Sequence, residues 1–133
     1  MRLLLDTCSL LWALHAPAKL RPVARRALEN SRNSLHVSPI SFWEISLKTS
    51  LGKLALDGAS PDDIPRLVAE SGWHIAPLQT ETAASFHRLP RFPDHKDPFD
   101  RLLIWTAIRE NFTLVSRDAN FPLYAPLGLQ ICS

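Results

Sequence analysis

RLLLDTCSLLWAL, residues 2–14, decides the fold. Arg2 to Leu5 is a short, leucine-dominated run of strand length, and from Leu10 through Leu11 to Leu14 the apolar spacing becomes helical. A carboxylate, Asp6, stands where one pattern gives way to the other. A strand apolar on both faces must be covered on both sides, and one that opens directly into a helix starts an alternating α/β chain.

Outward from this unit the same order recurs. LRPVARRALEN (20–30) predicts a helix with Pro22 near its start and a basic face of Arg21, Arg25 and Arg26. Leu35 to Ser38 predicts a brief strand, and PISFWEISLKTSLG (39–52) a helix closing on Gly52. The turn-rich DGASPDD (57–63) leads into the helical IPRLVAESG (64–72), and Trp73 to Leu78 predicts a third strand. Thr80 is the expected cap of a short helix, TETAASFHRL (80–89), and PRFPDHKDP (90–98) is an expected exposed polar loop. Asp97 and Pro98 start the helix PFDRLLIWTAIREN (98–111), Thr113 to Ser116 is a fourth strand and Leu129 to Cys132 a fifth. The pattern predicts one α/β domain over residues 1–133: a central, mostly parallel sheet of four to five strands flanked by helices. Ligands of such sheets bind beyond the carboxyl ends of the strands.

With 46% hydrophobic and 21% charged residues, the chain falls outside the disordered and fibrous classes. Fifteen Lys and Arg against 13 Asp and Glu give a net charge of +2, so any site for a polyanion must be local. Cys8 and Cys132 make neither a disulfide framework nor a zinc pattern, and Cys8 is expected to be a small buried residue. Asp6 interrupts the amino-terminal stretch that faintly imitates a secretory signal, and no apolar run approaches ~18 residues, so the expectation is a cytoplasmic protein without a membrane span.

Nucleotide-loop, dinucleotide, serine-hydrolase and zincin motifs are absent, which leaves the acids. Ile40, Trp43, Leu47 and Leu51 form an apolar stripe with Glu44 on or beside it, and Trp43 and Phe42 read as core. Asp100 begins the stripe Leu103, Ile104, Ala107, Ile108; Asp97 precedes Pro98 and serves either as a helix cap or as a ligand. Asp6 and Asp118 sit at strand ends. In a domain with a radius of gyration of about 14 Å, the strand-end rule directs these acids to one edge. Two carboxylates ~5 Å apart repel by roughly 3 kcal/mol at an effective dielectric of 20, so such a cluster needs protons or a cation. All-oxygen ligands point to Mg²⁺, with Mn²⁺ possible, and Mg²⁺ held by carboxylates and substrate phosphate points to phosphodiester hydrolysis.

LLLDTCSLLWAL (3–14), SFWEISLKTSLGKL (41–54), HKDPFDRLLIWTA (95–107) and TLVSRDANF (113–121) together resemble the PIN-domain ribonucleases, in particular the VapC-type toxins of bacterial toxin–antitoxin pairs. The resemblance runs the length of the chain in the family's order. It implies an α/β fold with an acidic Mg²⁺ site, whose acids fall on Asp6, Glu44, Asp100 and Asp118, with Asp97 replacing or assisting Asp100 and with Thr7 and Ser116 as supporting hydroxyls. It implies an RNA substrate, products with a 5′-phosphate and a 3′-hydroxyl, a cognate antitoxin partner and a homodimer. Trp105 departs from the family's usual small residue. Lys96, Arg101 and Arg117, with Arg88 and Arg91, are the expected substrate-binding cations, and His87 and His95 assist at most. Two other readings stay open: a non-catalytic metal- or RNA-binding module, and a haloacid-dehalogenase-like phosphatase using Asp6, although that motif needs an Asp where Cys8 stands.

Overall fold

In the computed structural model, which describes residues 1–132, the alternation yields five strands: β1 (Arg2–Leu5), β2 (Ser34–Val37), β3 (His74–Ile75), β4 (Thr113–Val115) and β5 (Gln130–Cys132). Between them run α1 (Thr7–His15), α2 (Pro22–Glu29), α3 (Pro39–Ser50), α4 (Ile64–Glu70), α5 (Thr80–Ser85) and α6 (Pro98–Glu110), and a 3₁₀ segment, Phe121–Leu127, precedes β5. The sheet has the order β3-β2-β1-β4-β5, and every pairing is parallel. β1 lies in the middle, with Leu3 beside Leu35 on one side and Leu4 beside Leu114 on the other. From β1 the chain steps outward to β2 and β3, then returns across β1 to β4 and β5. The β1–β4 boundary is therefore where the strand order reverses, the place where open parallel sheets form a ligand crevice.

The three leucines of β1 are fully buried, and they divide between two cores. Leu4 packs with Ile40, Leu103, Ile104, Leu114, Phe121 and Tyr124 on one face. Leu3 and Leu5 pack with Leu10, Ala24, Leu35, Val37, Ile64 and Val68 on the other. Each such burial is worth roughly 2 kcal/mol, so the central strand anchors both layers. α3 gives Ile40 to the first core and Ile45 to the second, and so straddles the two layers with Glu44 between these contacts. α6 ends at Asn111, which takes the left-handed conformation (φ 58°) and donates its N–H to Ala107 O.

Several local expectations are corrected. The third strand, expected over Trp73–Leu78, is only His74–Ile75; it lies at the sheet edge, and Pro77, having no N–H, cannot extend the ladder. Thr80 is the first residue of α5 rather than its cap, and the helix tightens to 3₁₀ at Phe86–Arg88. Trp43 is 63% exposed, because α3 buries Ile40, Ser41, Glu44 and Ile45 instead of the Trp43–Leu47–Leu51 stripe. The loop 90–98 is not wholly exposed, since His95 turns inward and is buried. Cys8 is exposed, not buried. Among the described residues no helix is long and apolar enough to cross a membrane.

Candidate active site

At the carboxyl edge of β1 and β4 the chain builds a cleft of about 310 Å³, lined by Asp6, Glu44, Asp97, Asp100 and Asp118 together with Thr7, Cys8, Trp12, Lys48 and Arg117. All five expected acids thus reach one place. Asp6 follows β1 directly: its N–H donates to Val115 O (3.1 Å), tying it to β4, and its side chain caps α1 by accepting from Ser9 N (2.8 Å). Burial raises its pKa, with the Asp118 charge adding to the rise, while Ser9 and Ser116 beside it hold the shift in check.

Glu44 is buried on α3, and each of its carboxylate oxygens accepts one hydrogen bond. Thr7 Oγ1 donates to its Oε1 at 2.6 Å and lies 3.1 Å from Ser41 Oγ. Lys48, one turn on, donates to Oε2, and this bond raises the lysine's pKa. Ser38, with Pro39 behind it, caps the start of the helix by accepting from Ile40 N.

Asp97 and Asp100 are both delivered by the start of α6. Asp97 caps the helix with Oδ1, accepting from Phe99 N (2.8 Å) and Asp100 N (3.2 Å), which leaves its other oxygen for the cleft. Cap and candidate ligand are therefore compatible roles. Asp100 accepts no hydrogen bond from a partner among the described residues, and its pKa is raised to about 7, first by burial and then by the charges of Asp97, Glu44, Asp6 and Asp118. Asp118 lies in the turn after β4, where its N–H donates to Ser116 Oγ (3.1 Å) and its Oδ1 accepts from Asn120 N (2.8 Å). The two supporting hydroxyls, Thr7 and Ser116, are buried and orient Glu44 and the Asp118 turn respectively.

The expected cations separate. Arg117 lines the cleft mouth, its guanidinium over Trp12 (5.3 Å) and its Nη1 donating to Lys19 O. Lys96 lies exposed on an adjoining cleft of about 420 Å³ with Arg91, Phe92, Pro93, His95 and Arg101. Arg101 is buried, and its Nη2 donates to Leu89 O (3.1 Å) and Pro90 O (3.0 Å), so it holds the loop rather than facing solvent. Arg88 and His87 are exposed but line neither cleft.

Sequence reasoning missed Lys48 and gave His95 no more than an auxiliary part in substrate binding. Lys48 had a local signal, its i, i+4 spacing from Glu44. His95 had none beyond nearness to Asp97. The structure buries its ring, sets Nδ1 2.8 Å from the Tyr124 hydroxyl, and leaves Nε2 without a partner, 3.6 Å from Asp100 Oδ2. Burial lowers the pKa of the ring, against the pull of Asp118 and Asp97, which favours the neutral imidazole. One ligand atom each from His95, Asp100 and Asp118 lie within 4.8 Å of one another.

The donor set fits a divalent cation. Lys48 neutralises Glu44, whereas among the described residues no Lys or Arg pairs with Asp6, Asp97, Asp100 or Asp118. Four acids around one cleft, one of them with a pKa raised to about 7, are a site short of positive charge.

The model of the PIN domain family matches residues 3–126. No curated protein matches in sequence. Among solved structures, the chain is similar to VapBC from Salmonella typhimurium bound to DNA (17% identity, 98% of this chain and 96% of that one, TM-score 0.66). It is also similar to VapBC2 from Rickettsia felis bound to a promoter fragment (16%, 98% and 97%, 0.61) and to FitAcB from Neisseria gonorrhoeae (19%, 98% and 96%, 0.59). At these identities the likeness is one of fold.

Proposed function

The chain belongs to the PIN-domain family, and on that premise we propose that it is a Mg²⁺-dependent endoribonuclease, the toxin of a VapC-type toxin–antitoxin pair, acting in the cytoplasm. The observation that carries the reading is the meeting of Asp6, Glu44, Asp97, Asp100 and Asp118 in one cleft where, among the described residues, only Lys48 forms an ion pair with any of them, through Glu44. Solved neighbours that are VapBC and FitAB assemblies agree with the resemblance of the four sequence motifs to VapC-type toxins and favour a cognate antitoxin as partner. A homodimer belongs to the same proposal.

Asp6 and Asp100 are the residues to hold Mg²⁺ (or Mn²⁺) directly, with Asp97, Glu44 and Asp118 as further ligands or hydrogen-bond acceptors for its waters. When bound, the ion supplies an acidified water and positive charge opposite the scissile phosphate. The chain's own groups do the rest. Glu44, fixed by Thr7 and Lys48, and Asp118, fixed by Asn120 N, present carboxylate oxygens in defined directions, as a residue that orients or deprotonates a water requires. Arg117 at the mouth and Lys96 and Arg91 on the adjoining cleft offer cations to the RNA backbone on either side of the break. No side chain needs to form a covalent intermediate, and the products carry a 5′-phosphate and a 3′-hydroxyl.

Asp6→Asn is the sharpest test, because Asn caps a helix about as well as Asp and so removes the charge while sparing the fold. Labelled RNA is expected to be cut with Mg²⁺ and left intact with EDTA or by the variant. Cleavage indifferent to both changes rejects the metal-nuclease reading, and tight binding without cleavage replaces it with a binding module.

A further inference from the structure

Building on the reading of the acidic cleft as a divalent-cation site, we infer that His95 is a nitrogen donor to that cation alongside Asp100 and Asp118, and that it tilts the site from Mg²⁺ toward Mn²⁺. The first observation is placement: donor atoms of the three residues lie within 4.8 Å of one another. Metal–ligand bonds of about 2.0–2.2 Å span opposed donors roughly 4.2 Å apart, so slight closure of these side chains completes the set.

The second observation is a buried nitrogen with nothing to bond. The imidazole is 4% exposed, and its Nε2 has no hydrogen-bond partner among the described residues. Asp100 Oδ2, at 3.6 Å, is too far for a direct bond, so a simple His–Asp pair satisfies neither group. A native fold rarely leaves such an atom orphaned without a ligand in view.

The third observation is that the rest of the ring is built to hold it still. Its Nδ1 bonds the hydroxyl of the fully buried Tyr124, the ring packs against Phe121 (5.6 Å between centroids), and the His95 N–H donates to Phe92 O. A ligating histidine characteristically engages its second nitrogen with a fixed acceptor, which sets the tautomer and aims the first. In the tautomer that donates Nδ1–H to the Tyr124 oxygen, the lone pair is on Nε2, the nitrogen that lies 3.6 Å from Asp100 Oδ2. Imidazole suits transition ions, whereas Mg²⁺ prefers oxygen, so this donor discriminates between cations that the carboxylates alone treat alike.

Pulsed electron paramagnetic resonance of Mn²⁺-loaded protein reads the bond directly. The wild type is expected to show ¹⁴N modulation from a coordinated imidazole. His95→Gln is expected to lose it, to bind Mn²⁺ at least about tenfold more weakly by calorimetry, and to change Mg²⁺ affinity by less than about threefold. Tyr124→Phe is expected to keep the modulation with a smaller loss of Mn²⁺ affinity, and it decides with the wild type should the glutamine variant not fold. Bound Mn²⁺ without nitrogen modulation, or equal losses for both cations, overturns the role of His95 while leaving the acidic site standing. A wild type that binds neither cation overturns both.

Discussion

The two sides of the acidic cleft are finished to different degrees. On the α1–α3 side, the carboxylate of Glu44 is met by Thr7 and Lys48, so that its charge has a counter-ion and each of its oxygens one donor within the chain. On the α6–β4 side, among the described residues, Asp100 has no donor of its own, His95 Nε2 is unpartnered, and Asp118 is bonded through one oxygen only. The first side is a completed polar network, stable without help. The second is incomplete in a consistent sense: among the described residues no lysine or arginine pairs with its acids, since Arg117 at the mouth is turned to Trp12 and Lys19 O. Removing a charge should therefore have opposite consequences on the two sides, harming the fold on one and relieving it on the other.

Asp100→Asn gives the largest effect. RNA cleavage is expected to fall by about a hundredfold or more, since one of the two acids proposed to hold the cation directly is lost. The metal-free variant is nonetheless expected to melt above the wild type at pH 8. An activity loss accompanied by a lower melting temperature breaks the contrast, because Asp100 is then a structural residue.

The pH dependence of that gain tests its cause. Asp100 has a carboxyl pKa of about 7 in the folded chain against 3.8 unfolded, so the native state holds the extra proton between these values. Stability then falls as pH rises, and the loss is complete above about pH 7. Asp6 shifts in the same direction. His95 opposes them: its lowered pKa means that its contribution is lost as pH falls below 6.5. The single-residue term is isolated by difference. The melting temperature of Asp100→Asn minus that of the wild type, in EDTA, should be near zero at pH 4, grow towards pH 7 and then level off. A flat difference rejects the shift.

The same contrast explains what could be read in the sequence. The sheet was legible because Leu3, Leu4 and Leu5 are apolar on both faces of one strand, a pattern that admits only a doubly covered, parallel arrangement. The acids were legible because Asp6, Asp100 and Asp118 stand at element junctions whose direction follows from that sheet. Trp43 was misread because a single helical stripe presumes one core, whereas α3 feeds two, through Ile40 and Ile45. His95 was not legible because its inward turn depends on Phe121 and Tyr124, residues remote in sequence whose packing no local period encodes. Cys8 was misplaced because a small apolar residue beside a strand end reads as core, whereas here it faces the cleft.

On the completed side the expected signs reverse. Thr7→Val keeps the branched shape and deletes the donor to Glu44, and by the usual worth of a hydrogen bond to a charged group it should cost about 2 kcal/mol in urea denaturation. Unchanged stability shows that Ser41 takes over the bond.

Lys48→Met carries the smallest effect and discriminates most finely. Stranding a buried carboxylate is costly, but Lys48 is 39% exposed on its side chain, and solvent screens what remains, so the expected loss is about 1 kcal/mol in metal-free protein. Lysine and a divalent cation also compete for the same negative charge. The variant should therefore bind Mg²⁺ a few-fold more tightly by calorimetry while folding less stably without it. Weaker Mg²⁺ binding points instead to Lys48 holding Glu44 in the orientation the site needs, which places the lysine in the machinery of the cleft rather than in its scaffold.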